Sequence, residues 1–340
     1  MQNWLECSNN DGDIVISSRV RLARNIKEKP FPDKISEDGA RKLVEDIEGA
    51  FFSTTSLKDN FQIRRLWESD EISNMSFLEK HLISKKLIEN SNKGAFIFDK
   101  EETVSIMINE EDHLRIQCIS SGLDLKEIMD YCDKLDDFLE EKMEYAFDER
   151  LGYLTACPTN IGTGLRASVM MHLPALTMNN EMNGVLNALT QVGMTIRGLY
   201  GEGSGAYGNL YQISNQITLG ISEKDILSNL KAVVSQLINQ ENISRQQTLS
   251  KYNYEIQDKI FRALGILKSA VVMDVKECLK LLSNVRMGIE MGIIKDVSKR
   301  TINDLLVNTQ SATLNKYFKE KLTEKDINIK RAEYIREKLK

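Results

Sequence analysis

The sequence predicts an α+β fold that gives way to an all-helical C-terminal part. Segments 13–25, 104–109, 113–119 and 210–218 read as strands, with the two-residue alternation of side chains in the second half of the first and in the last two. Amphipathic stretches with helical spacing separate them. From Ser222 onward the periodicity is helical throughout, through Ile226, Leu230, Val233, Leu237 and beyond.

The 340 residues suffice for one large or two ordinary domains. Hydrophobic residues at 41% and charged residues at 28% are those of an ordinary globular chain. A net charge of -5 gives no reason to expect nucleic acid or a membrane as partner. No apolar run has membrane-spanning length and the start is polar, so the expected location is cytoplasmic. The five cysteines and three histidines are scattered without metal-ligand spacing. No resident metal site is expected; a metal ion would arrive with a substrate.

In chain order, the strand at 13–25 places Val20 and Leu22 on one face and Arg19 and Arg21 on the other. That second face is either a solvated basic surface or a binding surface. Pro30 and Pro32 mark a turn, and 36–52 reads as an amphipathic helix through Leu43, Val44, Ile47 and Phe51. Ser76-x-x-Glu79 has the form of a capping box opening a second helix. Strands 104–109 and 113–119 flank the acidic turn Glu110-Glu111-Asp112, with Arg115 close behind. This tip reads equally as a cation site beside an anion site or as a solvated turn. A long helix is expected over 125–147, a strand over 152–156, and a helix over 174–192.

Thr155 to Ser168 holds Cys157, Pro158, Gly162, Gly164 and Arg166, too irregular for a helix interior and too glycine-rich for a plain strand. Thiol reactivity follows local positive potential. Residues 194–209 contain a formal Gly-x-Gly-x-x-Gly at Gly203, Gly205 and Gly208, but a strand pattern follows where a dinucleotide fold requires a helix. The segment reads instead as a flexible loop carrying Glu202. The polar interval 239–254 is the expected boundary between units 1–250 and 251–340.

Neither a P-loop nor the signatures of ordinary protein kinases are present. Arginines stand in their place, at 19, 21, 115, 166 and 197. Guanidinium forks bind phosphate oxygens bidentately and keep their charge. Glu111, Glu202 and the thiol of Cys157 would suit a cationic planar acceptor, a guanidinium, whose proton must be taken as its nitrogen attacks phosphorus.

Ser17-Ser18-Arg19-Val20-Arg21, Asn109-Glu110-Glu111-Asp112-His113-Leu114-Arg115, the run Cys157 to Ser168, and Arg197-Gly198-x-x-Gly201-Glu202 resemble the four signature blocks of the ATP:guanido phosphotransferases, in family order. The resemblance implies a phosphagen-kinase-like catalytic domain, an antiparallel β-sheet flanked by helices. It implies that Arg19, Arg21, Arg115, Arg166 and Arg197, with Ser17 and His81, bind ATP brought in with Mg2+. It further implies that Glu111 and Glu202 grip the acceptor guanidinium beside Cys157.

Within the family the chain most resembles the protein-directed branch, the bacterial protein arginine kinases. Kinases of free guanidino compounds carry a helical domain before the first arginine block, where this sequence has only Met1 to Ile16, and it continues instead into C-terminal helices. The resemblance implies arginine side chains of proteins as substrates. It also implies a homodimer, a zinc-containing activator protein, and a Clp-type chaperone-protease in the stress response. A kinase of a free guanidino metabolite and a catalytically silent adaptor are the alternatives. Protein-directed relatives bind phosphoarginine through Arg-Asp-x-x-Arg-Ala; here the place is held by Ile327-Asn328-Ile329-Lys330-Arg331-Ala332, which lacks the leading pair.

Overall fold

The computed structural model describes residues 3–5, 14–198 and 207–340, and of 55 and 56 the backbone alone. Among these the strands are β1 Val15–Arg24, β2 Phe61–Arg65, β3 Ala95–Asp99, β4 Val104–Ile108, β5 Leu114–Ser121, β6 Phe147–Asp148, β7 Gly152–Tyr153, β8 Leu165–His172, β9 Met194–Gly198 and β10 Leu210–Asn215. Eight of them form one antiparallel sheet in the order β2-β3-β4-β5-β1-β8-β10-β9. The helices of the sheet-bearing part are α1 Glu37–Phe51, α2 Thr55–Asn60, α3 Glu71–Glu79, α4 Lys85–Glu89, α5 Leu125–Glu140, α6 Pro174–Met178, α7 Met182–Gln191 and α8 Glu223–Lys251. Then follow α9 Asn253–Ser269, α10 Val275–Glu290, α11 Lys299–Asn308, α12 Ser311–Phe318 and α13 Glu324–Lys338. The chain is α+β with a helical C-terminal part, as its periodicities predict.

β1 is central, paired with β5 on one side and β8 on the other. Its alternation divides the molecule. Val20 and Leu22 are fully buried in a core that α1, α5 and α8 complete through Leu43, Ile47, Ile128, Ile226 and Leu230. Removing a large side chain from such a core costs about 2–5 kcal/mol. Arg19 and Arg21 face the opposite side. There Ile119 and Leu210 join a second core made mainly by Leu264, Leu282, Val285, Ile302, Leu305 and Ile335 of the C-terminal helices. Those helices therefore lie against the arginine-bearing face of the sheet.

Several expected boundaries move. Ser76 does not cap a helix: α3 starts at Glu71, Asp70 caps it by accepting from Ser73 N at 2.9 Å, and Ser76 sits in its last turn. Glu79, the other half of the supposed box, accepts from Ala312 N at 2.8 Å and Thr313 N at 2.7 Å, so it caps α12 across the fold. The helix from 125 ends at Glu140, because Tyr145 and Ala146 are drawn into pairing with Ile26 and Asn25. The helix over 174–192 is two, broken at Asn180 with φ 60°. The strand expected over 152–156 keeps only Gly152–Tyr153. The polar interval 239–254 is helical up to Lys251, and Glu241, Ser244, Arg245 and Thr248 within it are buried. Its polarity belongs to an internal face, where Arg245 bonds Glu241 at 2.7 Å and Glu290 of α10 at 2.8 Å.

Candidate active site

The β4–β5 hairpin turns on Asn109, whose φ of 58° is one an asparagine tolerates. Its side chain donates to Ala40 O at 2.9 Å, which fastens the turn to α1. Beyond it the three carboxylates diverge. Glu110 is buried and accepts from Arg115 Nη1 at 2.7 Å and from the Ser84 hydroxyl, while Glu111 accepts from Arg115 Nη2 at 2.9 Å and stays about one third exposed. Arg115 is thus shared between two carboxylates, one anchoring and one open to solvent. Asp112 turns inward. One of its oxygens accepts from Asn25 Nδ2 and from Ala156 N, both at 2.7 Å, and burial raises its carboxyl above the usual range. Next to it, His113 Nδ1 accepts from Ile26 N at 3.0 Å, so the proton lies on Nε2, which donates to Pro30 O at 2.8 Å.

Asp112 therefore ties the hairpin bearing Glu111 to the loop bearing Cys157. The thiol lies 3.0 Å from Thr159 Oγ1, and Asn160 N closes a turn onto Cys157 O at 3.0 Å. Two glycines let this loop through. At Gly162, φ 108°, a Cβ would stand 2.4 Å from Thr218 O; at Gly164, φ 65°, it would stand 2.6 Å from Ala23 O. Thr218 holds the outer side by donating to Thr159 O and Ile161 O at 3.0 and 2.7 Å.

The arginines are set by strand register. Arg21 stands opposite Arg166 on β8 and opposite Gln117 on β5; Arg115 faces Ala23, and Arg19 faces Ser168 and Ile119. Arg19 donates to Gln212 Oε1 at 2.7 Å and to Ser168 Oγ at 3.4 Å. Burial, with Arg115 and Arg166 nearby, brings its guanidinium down to about 10. Arg21 Nε is buried with no hydrogen-bond partner among the described residues. Burial, then Arg19, Arg115 and Arg166, push the Arg21 guanidinium well below its usual value, and Glu110 opposes them.

Arg21, Arg115, Arg166, Arg197, Glu111 and Cys157 line one groove of about 640 Å³, with Lys85 and Lys86 also on its walls. Arg19, Ser17 and His81 line a separate small cavity where the sheet meets the C-terminal helices. Burial and the Arg19 charge hold the His81 imidazole near 4, and the Trp4 ring meets it edge-on at 5.7 Å. Glu202 lies outside the described residues. The sequence reading names neither Ser84 nor Gln212, and it gives Glu110 and Asp112 no roles of their own within the acidic turn. The two carboxylates stand in a recognised acidic turn, but nothing local tells which of three adjacent carboxylates faces inward.

Four guanidinium groups in one groove with a carboxylate and a thiol can hold a polyanion next to a planar cation. Among the described residues, no three His, Cys, Asp or Glu side chains cluster as metal ligands.

A model of the family described as ATP:guanido phosphotransferase, C-terminal catalytic domain, matches residues 42–244, and one described as the protein-arginine kinase McsB C-terminal domain matches residues 253–340. The chain is 61% identical over 340 residues to a protein-arginine kinase of Clostridium acetobutylicum, covering all of both. With a protein-arginine kinase of Geobacillus sp. (strain WCH70) the identity is 46% over 341 residues, 100% of this chain and 94% of the relative. Among solved structures it resembles lombricine kinase, with a TM-score of 0.60 and 28% identity over 73% of this chain and 71% of that one.

Proposed function

The chain belongs to the ATP:guanido phosphotransferase family, and from that premise we propose how its groove works as a protein-arginine kinase. The γ-phosphate of ATP rests among Arg21, Arg115, Arg166 and Arg197, and the guanidinium of a substrate arginine lies against Glu111 and Cys157, with Glu202 as the second carboxylate that the family resemblance implies. The acceptor nitrogen attacks the γ-phosphorus; an N–P bond forms as the bond to the β-phosphate oxygen breaks. Its proton passes to a carboxylate, and ADP leaves. A free guanidinium, with a pKa above ~12, is a poor nucleophile, so positioning and proton removal are the main tasks of the carboxylates. The guanidinium wall offsets charge on the phosphoryl oxygens in a loose transition state.

The observation that carries this reading is the buried Nε of Arg21, without a partner among the described residues, in a groove shared with Glu111 and Cys157. A fold spends stability on such a group where an anion is to be bound. Among the described residues Glu111 is the one carboxylate lining the groove, which fits a Mg2+ ion that arrives on the nucleotide and supplies charge neutralisation there. Glu111→Gln tests the division of labour. ATP binding measured by calorimetry should stay within about threefold while phosphotransfer falls at least about a hundredfold, the scale of a lost general base. Full turnover in the variant would refute the assigned role.

Residues 1–250 serve as the catalytic unit and 251–340 as the regulatory and dimerising unit; the break between α8, which ends at Lys251, and α9, which starts at Asn253, supports that division. Exposed Tyr254, Phe261, Val271 and Val272 around α9 support a homodimer. A zinc-containing activator, a Clp-type chaperone-protease as consumer of the modified proteins, and a cytoplasmic stress-response setting complete the proposal; these rest on the family resemblance. No helix among the described residues is long and apolar enough to cross a membrane.

A further inference from the structure

We infer that Lys85 helps decide which arginines of a protein are modified: its ammonium favours a target arginine with an acidic side chain next to it in sequence and disfavours one with basic neighbours. The inference rests on the reading above that the acceptor guanidinium lies against Glu111. Besides the four arginines, Lys85 and Lys86 line the groove. The arginines belong to β1, β5, β8 and β9, whereas the two lysines open the short helix α4. That helix is fastened to the acidic turn. Ser84, which caps its start, donates to Glu110, and Asn90 at its end donates to Asn109 O at 3.2 Å and to Glu110 O at 2.7 Å. The lysines therefore stand beside the turn that carries Glu111.

The two lysines are not equivalent. Lys86 is half-buried, with Nζ 3.8 Å from Asp33 Oδ1. Lys85 is exposed, and among the described residues no hydrogen bond or ion pair holds its ammonium. Guanidinium forks grip phosphate oxygens in a fixed geometry, and four of them already serve the polyanion. An ammonium on a flexible stem is a point charge that can meet an anion whose position varies from one substrate to the next. A groove of about 640 Å³ has the size of a small-molecule site. It takes a triphosphate and one side chain, so the main chain of a protein substrate stays at the mouth, where Lys85 is exposed. Residues within two places of the target arginine lie within about 7 Å of it along an extended chain. A glutamate or aspartate there finds an opposite charge, and a lysine or arginine finds a like one. The whole chain carries -5, so this preference for acidic neighbours is a local property of the groove.

Two unstructured peptides test this with the full chain at saturating Mg·ATP. They are identical except that the single arginine is flanked by glutamates in one and by lysines in the other. At low salt the wild-type kcat/KM should be several-fold higher for the glutamate-flanked peptide, the scale of an exposed ion pair, with the difference in KM and shrinking as salt rises. Lys85→Glu should reverse the order of the two peptides. Lys85→Gln should bring their ratio toward one while the ATP Kd stays within about twofold. Equal rates for the two peptides in the wild type, or a ratio that both variants leave unchanged, overturn the inference and leave the phosphotransfer reading standing. A large loss of ATP affinity in Lys85→Gln with the peptide ratio kept also overturns it, since Lys85 is then a phosphate ligand. Phosphoarginine on neither peptide would sink the kinase reading itself, and this inference with it.

Discussion

Arg21 and Arg166 are direct cross-strand partners on β1 and β8, two like charges placed where a sheet ordinarily avoids them. Directly opposed like charges cost a sheet a fraction of a kcal/mol up to about 1 kcal/mol, and burial of Arg21 adds to that. Arg21→Met should therefore leave thermal stability without ligand unchanged or higher. ATP affinity should fall at least about tenfold, the scale of a lost charge-assisted bond. Thermal shift with and without ATP reads both quantities; a variant that is less stable yet binds ATP normally would contradict the assignment.

Asp112 joins the two halves of the site by accepting from Asn25 and Ala156 N. Asp112→Ala removes both bonds, at a cost of about 1–3 kcal/mol. Because the bond to Ala156 holds the Cys157 loop beside Glu111, kcat should fall about tenfold or more while the ATP Kd changes little. Steady-state kinetics beside urea unfolding checks this, and an unaltered kcat in a destabilised variant would make Asp112 a fold residue only.

Gly164 and Gly220 make a matched pair of tests. Both have positive φ, but a Cβ at Gly164 would strike Ala23 O at 2.6 Å whereas at Gly220 it meets open space. Gly220→Ala should cost about 1 kcal/mol from backbone strain alone, and Gly164→Ala distinctly more, with displacement of the Cys157 loop. Equal unfolding free energies for the two variants would contradict the close approach.

Acid should weaken the fold through buried histidines. Burial lowers His81 and His172 to about 4 against 6.5. The unfolded chain thus binds more protons between those values, and stability present above pH 6.5 is lost as pH falls toward 4. Glu290 has the same sign: against the burial that raises it, Arg286, His172 and Arg245 bring it down to about 2, so its contribution is held above about 4.5 and lost below. Each histidine should contribute a loss of about 2 kcal/mol by pH 5. His172→Gln should flatten the urea-unfolding profile between pH 7.5 and 5; a wild-type profile that is already flat would contradict these environments.

Arg331 illustrates a residue whose neighbourhood changes its meaning. Its guanidinium is buried and donates to Thr309 O, Met273 O, Asn328 and Ser311. Those contacts make it a brace between α13 and the α11–α12 turn. Added phosphoarginine should leave the kinase rate unchanged within about twofold; clear activation would contradict that.

The sequence made β1 legible because one face must be apolar and the other carries arginines, so a period of two is unmistakable. The Cys157 loop was legible because Gly162 and Gly164 need φ values that other residues avoid. What stayed hidden depends on distance in the chain. Glu79 has the spacing of half a local capping box, but its partners are 233 and 234 residues away. The polar run around Glu241 and Arg245 has the composition of a boundary, because its compensation comes from Glu290 on another helix. The inward turn of Asp112 follows from Asn25 and Ala156, neither of them a neighbour in sequence.

The central claim is that this groove phosphorylates arginine within proteins. The most direct measurement mixes the enzyme and Mg·ATP with an unfolded protein and an excess of free arginine in one vessel. Phosphoarginine in each is then quantified by mass spectrometry at neutral pH. The account predicts phosphoarginine on the protein, little on the free amino acid, and neither with Glu111→Gln; label confined to free arginine would contradict it.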